Sequence, residues 1–221
     1  MRIVCISDTH GQHAQIELPE GDLLLHAGDI SSSGEPWQVE SFLSWFSAQP
    51  HPHKVFIAGN HDFLAERNVD LFQEMIPPNV HYLKNEGIEI AGIKIWGSPI
   101  TPWFFDWAFN RHRGEDIRRY WQQIPTDTDI LLTHGPVYGI RDLTFDGKIV
   151  GCEELNAKIW EVKPLLHVFG HIHEGYGISE VNGITFVNAS ILDLQYRVAN
   201  LPVVMDWELL LKASISEVLT E

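Results

Sequence analysis

Ile3-Val4-Cys5-Ile6-Ser7-Asp8-Thr9-His10 starts with four apolar residues and finishes in a cluster of oxygen and nitrogen donors. An apolar run of that length reads as a buried strand, and donors just past its end belong to a loop at the sheet edge. The pattern recurs. Leu23-Leu24-Leu25 leads to Gly28-Asp29, and Val55-Phe56-Ile57 leads to Gly59-Asn60-His61-Asp62. Ile130-Leu131-Leu132 leads to Thr133-His134-Gly135, and Leu165-Leu166-His167-Val168-Phe169 leads to Gly170-His171-Ile172-His173. So many His, Asp and Asn side chains converging on one sheet edge is what a two-metal centre requires. The expected chemistry is metal-dependent hydrolysis.

Between these strands lie helical patterns. Val39, Phe42, Leu43 and Phe46 share one helix face after Pro36, a residue suited to a first turn. Leu71, Phe72, Met75 and Ile76 predict a second helix stopped by Pro77-Pro78. Ile117, Tyr120, Trp121 and Ile124 predict a third, with Glu115 and Asp116 in its first turn. Cys152, Leu155, Ile159 and Val162 predict a fourth, ended by Pro164. The segments 81–97 and 177–188 differ, because short apolar stretches separated by Asn85-Glu86-Gly87, Ala91-Gly92 and Asn182-Gly183 suggest antiparallel hairpins. Two such regions imply a second sheet. The expected fold is α/β: a four-layer αββα sandwich, two facing mixed sheets with helices outside, in a single domain spanning 1–221. Leu209 to Glu221 carries no decisive pattern.

The 221 residues suffice for one substantial core. Fifteen Lys and Arg stand against 30 Asp and Glu, a formal charge of −15. Such a chain is a poor partner for long nucleic acid, whose phosphates must be neutralised by basic side chains. A small phosphate ester or nucleotide stays compatible, since bound cations reverse the local field. No apolar run is long enough to cross a bilayer, and the first donor, Asp8, leaves no room for a signal peptide. The expected compartment is therefore the cytosol, with no membrane partner, and the oligomeric state is open. Cys5 and Cys152 lack metal or redox spacing and read as buried thiols. Asn188-Ala189-Ser190 matches the N-glycosylation pattern, which has no meaning without secretion.

The set Asp8-Thr9-His10, Gly28-Asp29, Gly59-Asn60-His61-Asp62, Thr133-His134 and Gly170-His171-Ile172-His173 resembles the signature of the calcineurin-like metallophosphoesterases in order and approximate spacing. Three longer stretches are similar to the branch of metallophosphoesterase-domain-containing proteins related to class III cyclic nucleotide phosphodiesterases. They are Trp96 to Pro99 with the aromatic segment after it, Leu132 to Pro136, and Val168 to Gly177. The likeness fades after about Glu208. It implies one ion held by Asp8, His10, Asp29 and His173, and a second held by Asn60, His134 and His171, with Asp29 bridging. Imidazole-rich sites suit Mn²⁺ first, or Fe, Zn or Co, over Ca²⁺. The intact Gly-His-x-His pattern favours a working enzyme over a nucleotide-binding relic.

Paired ions about 3.5–4 Å apart activate a bridging water as the nucleophile. His61, carried to the site by Asn60, is the candidate general acid for the leaving oxygen, a contribution of about 10²–10⁴-fold. By analogy with the family's His–acid pair, Asp62 would hold His61; capping the next helix is an equally good role for it. Pro102 to Phe109 is either a nucleobase wall carrying Trp103 and Trp107 or a loop packed on the core. Arg113 is placed to reach a phosphate. The expected activity is hydrolysis of small phosphodiesters such as cyclic nucleotides. The alternatives are a phosphomonoesterase or phosphoprotein phosphatase on the same site, and a non-catalytic nucleotide sensor.

Overall fold

A computed structural model describes the backbone of residues 1–218 and the side chains of residues 1–212. Along the chain the elements are β1 Arg2–Ile6, β2 Leu23–His26, α1 Pro36–Ser47, β3 His53–Phe56, α2 Phe63–Arg67, α3 Val69–Met75 and β4 His81–Tyr82. Then come β5 Glu86–Ile90, β6 Ile93–Ser98, β7 Thr101–Pro102, β8 Asn110–Arg111, α4 Glu115–Trp121 and β9 Ile130–Thr133. The remainder is α5 Glu153–Val162, β10 Leu166–Phe169, β11 Gly177–Val181, β12 Ile184–Asn188, β13 Val203–Asp206 and α6 Trp207–Val218. The undecided segment Leu209–Glu221 is thus largely helix, and its last three residues lie outside the described ones.

Two mixed sheets form, ordered β13-β1-β2-β3-β4 and β11-β12-β10-β9-β6-β5. Side chains alternate across each strand, so each sheet has two apolar faces. Ile3, Cys5, Leu23, Leu25, Val55 and Ile57 meet Ile95, Ile130, Leu132, Val168 and Val187 in the space between the sheets. On the other face of the first sheet, Phe56 packs against Phe42 and Phe46 of α1, with ring centroids 5.8 and 6.0 Å apart. On the outer face of the second sheet, Phe186 meets Trp160 of α5. Each fully buried Ile, Leu or Phe contributes about 1.5–3 kcal/mol. This is the four-layer sandwich expected from the sequence.

One expectation fails in detail. His81-Tyr82 is not part of an antiparallel group with the next two strands; β4 pairs parallel with β3 at the edge of the first sheet. Only β5 and β6 form the hairpin, with Glu86 and Gly87 inside β5. A two-residue strand pairs with whichever edge the crossover brings near, which local pattern does not encode. The hairpin β11–β12 forms as read, with Asn182 and Gly183 at φ 48° and 76° in its turn.

The parallel strands β1, β2, β3, β9, β10 and β12 end on one side of the molecule. There the sheets join: Ser7 bridges Ser190 from β1 to β12, and His134 Nδ1 lies 2.9 Å from the carbonyl of Ala27. Among the described residues no helix is long and apolar enough to cross a membrane.

Candidate metal centre

Four of the predicted donors sit on left-handed backbone: Asp8 at φ 54°, His10 at 41°, Asp29 at 55° and His171 at 68°. Non-glycine residues rarely adopt this region, and such strain collects at functional sites. The turns are held by backbone bonds between loops, Asp8 N–H to Gly28 O at 3.0 Å and His10 N–H to Asp29 O at 3.0 Å. Glycines precede the motifs because loop and donor nearly touch. A Cβ on Gly59 would lie 2.3 Å from Asp29 Oδ1, and one on Gly170 would lie 2.0 Å from Asp8 Oδ2.

The structure brings all seven predicted donors together. Asp8, His10 and His173 each offer a donor atom within 4.8 Å of the others, as do Asp29, His134 and His171; His10, Asp29 and His61 form a linking group. Asn60 joins the second group, its Oδ1 lying 2.9 Å from His134 Nε2.

The donor chemistry fits cations. His134 Nδ1 must donate to the Ala27 carbonyl, which turns the lone pair of Nε2 toward Asn60 Oδ1 at 2.9 Å and Asp29 Oδ2 at 3.2 Å. Three acceptors facing one another are stable only around a proton or a metal. His173 repeats the arrangement, Nδ1 donating to Asp193 O at 3.0 Å and Nε2 lying 3.7 Å from Asp8 Oδ1. Both ring nitrogens of His10 are buried without a hydrogen-bond partner. A ring nitrogen tied to a carbonyl so that the other points inward is the usual dressing of a metal ligand.

Charge balance agrees. Burial disfavours a charge on His134 and His173, yet Asp29 and Asp8 outweigh it and push both up to about 9. Burial dominates at His10 and His171, lowering them to about 4 and about 3. Burial opposes ionisation of Asp8 and Asp29 too, but the facing imidazoles hold both carboxyls below the usual range.

Two supports recur in mirrored form. Thr9, before His10, lies 3.0 Å from His26 Nε2, and Thr133, before His134, lies 2.7 Å from His167 Nε2. His26 and His167 are buried core histidines, each lowered to about 3 by desolvation. A support the sequence reading missed is Ser190, whose Oγ donates to Asp8 Oδ2 at 2.7 Å. Its signal was present: Asn188-Ala189-Ser190 follows the buried, largely apolar Ile184-Thr185-Phe186-Val187, repeating the strand-then-polar pattern.

His61 does not pair with Asp62. Its Nδ1 lies 2.8 Å from the carbonyl of Ser32, and one of its ring nitrogens lies within 4.8 Å of donor atoms of His10 and Asp29. The Asp62 carboxylate accepts from the N–H groups of Ile30 at 3.1 Å, Ser31 at 2.9 Å and Gly59 at 2.7 Å, and from Ser31 Oγ at 2.6 Å. It therefore clasps the Asp29 loop to the Asn60 loop, a long-range role no local motif reveals. Its side chain makes no cap bond to α2 either. Burial and the charge of Asp29 push its carboxyl up to about 6.

Trp107 lies against His61, centroids 4.2 Å apart, and beside Phe63 at 5.8 Å. Trp103, half exposed, lines a cavity of about 240 Å³ with Phe104, Arg113, Pro136, Val150 and His171. The Arg113 guanidinium donates to the carbonyls of Gly151 at 2.9 Å and Val150 at 2.7 Å. The aromatic segment is thus divided: part backs the site and part lines the adjoining cavity.

Residues 1–175 match the calcineurin-like phosphoesterase family. This chain belongs to that family. Human metallophosphoesterase domain-containing protein 1 is 39% identical over 93% of this phosphoesterase and 70% of its own length. A UPF0046 protein of Caenorhabditis elegans is 35% identical over 93% of the chain and 80% of its own length. The crystal structure of phosphopantetheinyl hydrolase from Mycobacterium tuberculosis superposes with a TM-score of 0.63 at 14% identity, covering 93% and 96% of the two chains, a likeness of fold. Family membership and the His/Asp clusters together support metal-dependent phosphoester hydrolysis by this calcineurin-like phosphoesterase.

Proposed function

We propose that this phosphoesterase hydrolyses small phosphodiesters, cyclic nucleotides or related esters among them, with two divalent ions, Mn²⁺ foremost. Asp8, His10, Asp29 and His173 would hold one ion and Asn60, His134 and His171 the other, with Asp29 shared. Such ions supply Lewis acidity and lower the pKa of bound water toward roughly 7. Asn60 contributes an uncharged oxygen, so the site keeps more positive character for an anion than a third carboxylate would allow.

The observation that carries the reading is the placement of His61. Its Nδ1 is fixed by Ser32 O at 2.8 Å, and the ring reaches to within 4.8 Å of donor atoms of His10 and Asp29. From there Nε2 delivers a proton to the departing alkoxide. Trp107 screens one face of the ring from water.

Charge favours diesters over monoesters. A monoester dianion calls for guanidinium clamps. Arg113, the one guanidinium lining the adjoining cavity among the described residues, already directs two of its nitrogens at carbonyls. The cavity's walls are mostly apolar, which suits a nucleobase or another flat leaving group. Its modest size and the net charge of −15 favour a small ester over long nucleic acid. A cytosolic setting is consistent with this substrate class.

Hydrolysis of bis-p-nitrophenyl phosphate and p-nitrophenyl phosphate with added Mn²⁺ tests the reading. The diester is expected to be cleaved faster, and a chelator to stop the reaction. Faster cleavage of the monoester, or inertness with both ions bound, would contradict it.

A further inference from the structure

The segment after β12 lies beyond the residues matched to the family, yet it closes one side of the centre. Leu192 and Val198 form an antiparallel bridge, and Asp193 binds the turn between them. The Asp193 carboxylate accepts from the backbone N–H groups of Gln195 and Arg197, both at 2.9 Å, and from Arg197 Nε at 2.8 Å. Its carbonyl takes His173 Nδ1 at 3.0 Å. From the other side, the Gln12 amide donates to the carbonyl of Tyr196. The turn is therefore fixed to both segments that carry His10 and His173.

Tyr196 breaks the local rule of this turn. It sits at φ 57°, a left-handed conformation that turns ordinarily give to Gly or Asn. A bulky side chain is strained there. A local rule broken inside an otherwise consistent fold points to function. What the strain secures is placement. The ring stands edge-on to His10, centroids 4.9 Å apart, and to His173 at 5.4 Å. The side chain is 48% exposed, and among the described residues nothing hydrogen-bonds its hydroxyl.

We propose that Tyr196 contacts the substrate, its phenol hydroxyl donating a hydrogen bond to a non-bridging oxygen of a phosphoryl group bound over the His10–His173 side. This rests on the reading of the centre as a phosphoester hydrolase. It adds a recognition element from the segment past residue 175. The ring also shields the buried His10 from water on that side.

The test is calorimetric titration of inorganic phosphate into the Mn²⁺-loaded wild type, Tyr196→Phe and Tyr196→Gly, with thermal unfolding and hydrolysis of bis-p-nitrophenyl phosphate in parallel. Loss of one hydrogen bond to a charged oxygen should raise the phosphate Kd about tenfold in both variants. KM should rise with it and metal content stay unchanged. Tyr196→Gly should unfold at or above the wild-type temperature, because glycine adopts the turn without strain. Unchanged phosphate affinity in Tyr196→Phe would overturn the assignment, and a lowered Tm in Tyr196→Gly would then mark the ring as purely structural. A wild type that binds phosphate but cleaves no diester would overturn the functional reading while leaving the Tyr196 contact standing.

Discussion

The imidazole of His61 rests against the indole of Trp107, centroids 4.2 Å apart, while its Nδ1 meets the carbonyl of Ser32 at 2.8 Å. One contact sets the plane of the ring and the other sets its rotation, so Nε2 has a single direction. Trp107→Ala should therefore lower kcat by about tenfold for alkyl leaving groups and change KM less, a fraction of the 10²–10⁴-fold that a general acid supplies. Trp103→Ala should do the reverse and raise KM for nucleotides. Steady-state kinetics with alkyl and p-nitrophenyl esters separate the two. An equal loss for both leaving groups in His61→Ala would remove the acid role from His61, and with it the role of Trp107.

Asp62→Asn should damage the fold of the site more than its proton chemistry. The carboxylate accepts four hydrogen bonds while buried, and an amide must turn an NH₂ toward one pair of donors. Hydrogen bonds to charged groups are worth about 1.5–3 kcal/mol each, so a loss of about 3 kcal/mol is expected. Metal affinity should weaken as well, because the clasp sets the spacing of the Asp29 and Asn60 loops. Denaturant unfolding and metal titration check this. A fully stable, fully metallated variant with only turnover lost would return Asp62 to direct partnership with His61.

Ser190→Ala removes the hydroxyl that holds Asp8 Oδ2 at 2.7 Å. Loss of a bond that orients a ligand typically costs about 10–100-fold in metal affinity. The Mn²⁺ site that includes Asp8 should show that loss in equilibrium dialysis, with the unfolding temperature nearly unchanged. Full affinity at both sites would make the serine incidental.

Without metal, His134 and His173 are each pushed up to about 9 from the usual 6.5, their carboxylate partners outweighing burial. Folded-state values raised in this way contribute stability that is fully present below pH 6.5 and lost as pH rises through about 9. A divalent ion takes the place of those protons. Chelated protein should accordingly lose unfolding temperature across that window, and Mn²⁺-loaded protein should not. Metal binding near pH 8 should release protons, seen as a buffer-dependent calorimetric enthalpy. A chelated protein whose unfolding temperature is flat over the window would contradict the charge balance described.

Much of this centre could be read from residue order because each donor follows an apolar run within a few positions. Asp8, Asp29, Asn60, His134, His171 and His173 lie just past strands that local pattern identifies. What escaped notice depends on contacts distant in sequence. Ser190 reaches Asp8 across 182 residues, and Asp62 reaches Ser31 across 31. Neighbouring position made Asp62 look like the partner of His61, whereas packing of two loops decided otherwise. The left-handed backbone at Asp8 and Asp29 was hidden too, since composition leads one to expect Gly or Asn there. Helix α2 spans five residues, too few for a period to show. Strand β4 has two residues and takes its direction from its neighbour.

Elemental analysis of chelator-free protein reconstituted with Mn²⁺, beside His171→Ala, decides whether the centre holds a pair of ions. Two ions per wild-type chain are expected, and one retained, through Asp8, His10, Asp29 and His173, in the variant. A wild type that binds no transition metal, or a variant that still binds two, would contradict it.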